Sequence, residues 1–304
     1  MGVLGVAVLV LAAATGCGSG GRGGAEPASP SPSPSRSSDR PSASPSPPSP
    51  PATSVTAVPP AGGGRWRPSA GTTWQYQLDG RLDLSVDAEV YDVDGEETSA
   101  EQVAELHRRG RRAVCYVNAG AFEEWRPDAG RFPDDVLGEP LDGWPGERWL
   151  DVRRTDVLLP LLAERLDRCR DKGFDGVEFD NVDGWADESG FPLTADDQLR
   201  FNAALAGLAH ERGLAAGLKN DVEQVAELEP LFDFAVNEEC LRYDECGAYA
   251  AFTAAGKAVF HVEYEPLEAE GCAAVAGLST IVKTADLGPR RVGCARGGGS
   301  HGGG

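Results

Sequence analysis

The chain has 304 residues and a formal net charge of −20. Residues 1–64 carry three arginines against two acids, so the rest holds about −21, a surface that makes nucleic acid a poor partner; a polycation is a natural one, unless the acidity serves solubility alone. The length after residue 64 suits a single α/β barrel or a large sandwich.

Residues 3–14, VLGVAVLVLAAA, form an apolar run too short to span a bilayer, followed by small residues. A secretory signal is expected over 1–17. Cys17 directly after Ala14-Thr15-Gly16 resembles the bacterial lipoprotein box, in which the lipid on Cys17 would be the one contact with a membrane. Plain secretion or an uncleaved anchor are the alternatives. Residues 18–64 are Gly, Ser and Pro with few apolar side chains, so they cannot offset their ordering entropy and should form an extended, disordered linker.

From residue 73 a pattern of strand, polar tip and helix repeats. Strands are expected at 73–78, 88–93 and 112–118, with a helix at 98–109 capped by Thr98 or Ser99. A loop-rich excursion, 121–154, carries Trp125, Trp144 and Trp149; these are either a sugar-stacking platform or a small local core. A helix at 155–171 with Leu158, Leu161, Leu162, Leu166 and Cys169 on one face is closed by Lys172 and Gly173. The stretch GFDGVEFDNVDGW, 173–185, then reads as a turn, a buried strand and an acidic tip. Further on come a helix at 194–211, a strand at 214–219, a short helix at 222–228, a strand at 233–238, a helix at 244–255, a strand at 257–263, a helix at 266–276 and a strand at 279–284. Eight strands alternating with helices predict a closed (β/α)8 TIM barrel over 65–296, with an open doubly wound sheet as the competitor. Residues 297–304 read as a disordered tail.

Without Cys17, six cysteines remain, an even number that suits disulfides in an exported chain. Cys240 and Cys246 would close a short loop, Cys272 and Cys294 flank the last strand, and Cys115 and Cys169 are left to pair. Zinc is disfavoured, because no CxxC pair occurs and the four histidines are scattered. No cofactor is expected, and neither is a subunit partner: the chain should be a monomer.

In such a repeat, the strands' C-terminal tips carry the chemistry. Here they collect Asp92, Asp94, Asn118, Asp180, Asn181, Asp183, Lys219, Asn220, Glu238, Glu239 and Glu263. Many carboxylates with a lysine and several amides suit carbohydrate, and glycoside cleavage needs two carboxyls in different protonation states. A divalent metal is the alternative use of such acids. Glu238 and Glu239 are neighbours on one strand and should point opposite ways, so at most one faces the site. A lysine beside Asp180 would keep it ionised; Lys219 could do that, or could merely neutralise Glu178.

Together GFDGVEFDNVDGW, GLKND (217–221), VNEECLRYDEC (236–246), AGKAVFHVEY (255–264), CYVNAGAFEEWRPD (115–128), RWLDVR (148–153) and WQYQLDG (74–80) resemble glycoside hydrolase family 114 over nearly all of 70–286. That family consists of endo-α-1,4-polygalactosaminidase-like TIM barrels. The resemblance implies an endo-acting hydrolase of α-1,4-linked galactosamine or N-acetylgalactosamine polysaccharide. It matches Asp180 to the catalytic Asp, here given the nucleophile's part, and Glu238 to the catalytic Glu as general acid/base, with Glu239 the rival. Asp94, Tyr116, Asn181, Asp183, Lys219, Asn220 and Glu263 are expected to contact substrate. A non-catalytic glycan-binding lipoprotein, or a hydrolase of another α-linked hexosamine glycan, are the competing readings.

Overall fold

The computed structural model describes residues 64–264 and 275–294. The expected leader with Cys17, nearly all of the linker, most of the helix at 266–276, Cys272 and the tail lie outside those residues.

In chain order the strands are β1 (Trp74–Gln77), β2 (Val90–Asp94), β3 (Arg112–Asn118), β4 (Ala121–Glu123), β5 (Leu137–Pro140), β6 (Glu147–Leu150), β7 (Gly176–Asp180), β8 (Ala215–Lys219), β9 (Phe234–Glu238), β10 (Val259–Tyr264), β11 (Ser279–Lys283) and β12 (Val292–Gly293). The helices are α1 (Ala100–Arg108), α2 (Thr155–Lys172), α3 (Ala195–Glu211), α4 (Val225–Leu228) and α5 (Ala250–Ala254). The main sheet runs β1-β2-β3-β7-β8-β9-β10-β11, every neighbour parallel, with β12 antiparallel on β11. This is the expected (β/α)8 barrel. Its last joint is made by single bonds: the Trp74 indole donates to the Ser279 carbonyl at 2.7 Å, and the Leu78 and Asp79 amides donate to the Leu287 carbonyl.

The helix ends follow local chemistry. Ser99 and Thr194 each form a capping box, with Gln102 and Asp197 respectively. Gly173 ends α2 in the left-handed region at φ 92°. Two helices are shorter than expected. The span 222–228 divides into a 3-10 turn and α4, and 244–255 into a 3-10 turn and α5. The Cys240–Cys246 disulfide takes the start of the latter span into a closed loop.

The core has two layers. Val103, Leu106, Leu158, Leu162, Leu166, Phe201 and Leu205 fill the space between strands and helices. Trp74, Phe234, Phe260, Val90, Val114 and Ile281 fill the lower cylinder, with the Trp74 and Phe260 rings stacked at 5.1 Å. Gly217 is required there, because a Cβ would lie 2.3 Å from the Phe234 ring. Above this apolar plug the inward-facing side chains become polar, and that change of chemistry marks the mouth.

The excursion after β3 is more ordered than expected. It folds into a small antiparallel sheet, β4-β6-β5, fastened to the barrel by buried ion pairs. Arg165 on α2 grips Asp128 with two bonds, 2.8 and 2.7 Å, and the Asn118 carbonyl with a third. Arg126 joins Asp94 at the end of β2 to Glu123. The Cys115–Cys169 bond ties β3 to α2. Cys294 is also disulfide-bonded; its expected partner, Cys272, lies outside the described residues. Such bonds persist in oxidising compartments and fit an exported chain.

Candidate active site

Residues two apart on a strand share a face, so β7 sends both Glu178 and Asp180 inward. Lys219 and Glu238 are the last residues of β8 and β9. The three strands are neighbours, and their side chains converge. The Lys219 ammonium lies 2.9 Å from Asp180 Oδ1, 3.0 Å from Glu238 Oε2 and 3.7 Å from Glu178 Oε1. Tyr116 donates to Asp180 Oδ2 at 2.7 Å, and the Tyr264 hydroxyl donates to Glu238 Oε1. Burial pushes the Asp180 carboxyl up, but the charge of Lys219 and the bonds from Tyr116 and Lys219 outweigh it, leaving Asp180 below its ordinary range. Burial would lower the Lys219 ammonium, yet Asp180, Glu238 and Glu178 together hold it well above its usual value. Both hydroxyls stay protonated, since burial and nearby acids raise Tyr116 and Tyr264.

A lower tier supports this group. Tyr76 donates to Glu178 Oε1 at 3.2 Å, and Lys219 lies 5.9 Å over the Tyr76 ring. Both Asp92 oxygens and Glu178 Oε2 are buried with no hydrogen-bond partner among the described residues. Burial raises Asp92 to about 7, and burial together with Asp92 raises Glu178 further. Both are thereby pushed toward the protonated form, Glu178 against the opposing pull of Lys219 at 3.7 Å.

Three strand tips leave the barrel through left-handed backbone: Asn181 at φ 57°, Asn220 at 47° with Asp221 at 48°, and Glu239 at 60°. Such conformations cluster at functional sites. At the first tip, Gly120 crosses so closely that a Cβ would lie 1.6 Å from the Asn181 carbonyl oxygen. Asn181 donates to Asn118 Oδ1 at 3.1 Å and leans on Asp180 Oδ2 at 3.4 Å. At the second, Asn220 Oδ1 accepts from the Glu238 amide at 3.0 Å, which fixes the end of β9. At the third, the chain reverses, and Glu239 pairs with Arg242 at 2.6 Å, away from Lys219.

The remaining expected site residues divide into two sets. Asp183 is partly buried near Asp180, and burial, then Asp187, Asp221 and Asp180, raise it to about 7. Asp94 is held bidentately by Arg126 and accepts from the Glu96 and Glu97 amides. Glu263 is buried and accepts from the Leu241 amide and His261. These last two shape loops around the mouth. Glu147, which sequence reasoning did not single out, is brought in by β6. Asn118 donates to it at 3.0 Å, and burial with Glu123 and Asp180 raises it to about 7. Its only sequence signal is a register that pairs it with Glu123 across the small sheet.

The three tryptophans part company. Trp149 is buried and packs where a Gly184 Cβ would stand, whereas Trp125 and Trp144 are exposed. One grouping close enough to hold a metal, Cys240, Cys246 and His261, has its sulfurs joined in a disulfide. No described helix is long and apolar enough to cross a membrane.

Residues 55–299 match the model of glycoside hydrolase family GH114. Among solved structures, the chain is similar to Aspergillus fumigatus Ega3 in complex with galactosamine: 39% identity, TM-score 0.73, covering 76% of this chain and 98% of that one. It shares its fold with the glycoside hydrolase domain of PelA from Pseudomonas aeruginosa, at 16% identity and TM-score 0.58, covering 73% of this chain and 98% of that one. Comparison with curated proteins found no match.

Proposed function

The chain belongs to glycoside hydrolase family GH114, and from that membership we propose an endo-acting hydrolase of α-1,4-linked galactosamine-type polysaccharide, with Asp180 as nucleophile and Glu238 as general acid/base. The observation that carries the assignment is the meeting of Asp180 and Glu238, from different strands, on one buried ammonium. Oxygens 2.9 and 3.0 Å from the same nitrogen are at most about 6 Å apart, a spacing that favours the retaining geometry of about 5–5.5 Å over the wider inverting one.

In this reading Glu238, the more open of the two carboxyls, first takes up a proton from solvent and then gives it to the glycosidic oxygen as the C1–O bond breaks. Asp180, kept ionised by Lys219 and Tyr116, forms the ester to C1. Water then gives a proton to Glu238 and attacks C1, releasing Asp180. Galactosamine in the Ega3 structure and the acidity of this chain both support an amino-sugar polymer as substrate.

The test is incubation with acetylated and deacetylated α-1,4-polygalactosamine, with fragments identified by mass and the first-formed anomer by NMR. Internal fragments with retained configuration are expected, and Asp180→Asn should lower turnover by at least about a thousandfold while polymer binding persists. Undiminished fragment release by that variant would refute the assignment, and an inverted first product would refute the nucleophile's role.

A further inference from the structure

We propose that two aromatic platforms stand on opposite rims of the mouth, Trp125 with Trp144 on one and Tyr243 with Leu241 on the other, and that a glycan chain lies across the opening between them. This rests on the function proposed above and extends it to where the polymer is held beyond the cleaved bond.

Exposure is the first observation. Among the described residues, the large hydrophobic side chains left open are Trp125 (54%), Trp144 (54%), Tyr243 (60%), Leu241 (45%) and Leu231 (41%). Four of these five sit on just two loops, those after β3 and β9. Scattered apolar exposure is ordinary; grouping of this kind is not.

The second observation is that both loops are rigidly built while their aromatic rings pack on little. Beside Trp125, Arg126 is clamped at 2.8 Å to Asp94 and 2.7 Å to Glu123. Trp144 tips the turn between β5 and β6, bonded through its backbone to Leu141 and Glu147, and the Glu124 amide joins the two turns at the Gly146 carbonyl, 3.0 Å. On the other side the Cys240–Cys246 disulfide closes the loop carrying Leu241 and Tyr243. The Leu241 amide is fixed to Glu263 at 2.8 Å and the Tyr243 amide to the Glu239 carbonyl at 3.1 Å. Binding would order little new backbone, which keeps the entropic cost low.

The third observation is placement. Arg126 hangs the first platform on the end of β2, and the second follows the end of β9. In the order β1-β2-β3-β7-β8-β9-β10-β11, β2 and β9 stand four places apart, half a turn of the cylinder. Lys219, Asp180 and Glu238 sit at the ends of β8, β7 and β9, at the mouth that the two rims flank. An aromatic face suits the apolar face of a pyranose, and its quadrupole attracts the ammonium of a deacetylated amino sugar. Arg242 lies 5.6 Å from the Tyr243 centroid, but Glu239 neutralises it at 2.6 Å.

The test uses the full chain with deacetylated α-1,4-polygalactosamine as probe. Variants are the double substitution Trp125→Ala with Trp144→Ala, the single Tyr243→Ala, and Leu231→Ala as a control beyond the mouth. KM is expected to rise about tenfold in the double variant and about threefold in Tyr243→Ala, with kcat changed less than twofold and Leu231→Ala matching the parent. Unchanged KM in both rim variants, or a fall in kcat alone, overturns the proposal. Should the parent protein not cut the polymer, the function proposed above fails. The platforms are then judged by equilibrium binding of the same polymer: about tenfold weaker binding by the double variant supports them, and equal binding overturns them.

Discussion

Lys219 is nearly inaccessible, yet it touches Asp180 and Glu238 more closely than Glu178. From the sequence its two roles, steadying Asp180 or neutralising Glu178, were indistinguishable, because β8 gives no measure of reach. Its ammonium lies closer to the upper acids, at 2.9 and 3.0 Å, than to Glu178 at 3.7 Å, whose carboxyl is pushed up by burial and Asp92. Lys219 and Glu178 therefore differ in their expected response to mutation. Lys219→Met strands two acids beside each other without a counter-charge, so Asp180 ionises only at higher pH and the acid limb of kcat/KM moves upward. Glu178→Gln replaces a carboxyl that burial and Asp92 push toward the neutral form, so that limb should stay in place. A pH–rate profile checks both, and a downward shift in the glutamine variant would mean Glu178 is ionised, because its charge would have been holding Asp180 up. The choice between Glu238 and Glu239 was legible as an either/or from strand alternation. What turns Glu239 toward Arg242, the left-handed backbone at Glu239, has no sequence signal in a glutamate.

The regular elements were legible because each strand is a short apolar run closed by turn residues, and because α1 and α3 begin with capping boxes. The excursion after β3 was not, since its order comes from ion pairs between residues far apart in the chain. Asp128 and Arg165 are the strongest instance: α2 reads as an apolar stripe with an arginine on its buried side, and nothing local names the acid that receives it. Asp128→Ala would leave the Arg165 guanidinium buried without its partner, at a cost of about 3–5 kcal/mol. Urea melts should report it, and adding Arg165→Met should restore much of the loss. A loss under about 1 kcal/mol would show that water replaces the carboxylate.

At the scale of the whole molecule, eight strand periods predicted the barrel, and its closure includes a tryptophan bond that periodicity cannot reveal. Two electrostatic regimes meet in it. The exposed part of the formal charge of about −21 after residue 64 acts through solvent, where dissolved ions weaken it beyond a Debye length of about 8–10 Å. The lysine among its acids is shut away from those ions. Brine should therefore separate capture from chemistry: raising ionic strength from tens to hundreds of millimolar should loosen the hold on a cationic chain, seen as a climbing KM, while maximal velocity stays level. A velocity that fell in step with the salt would place that lysine within reach of the bath.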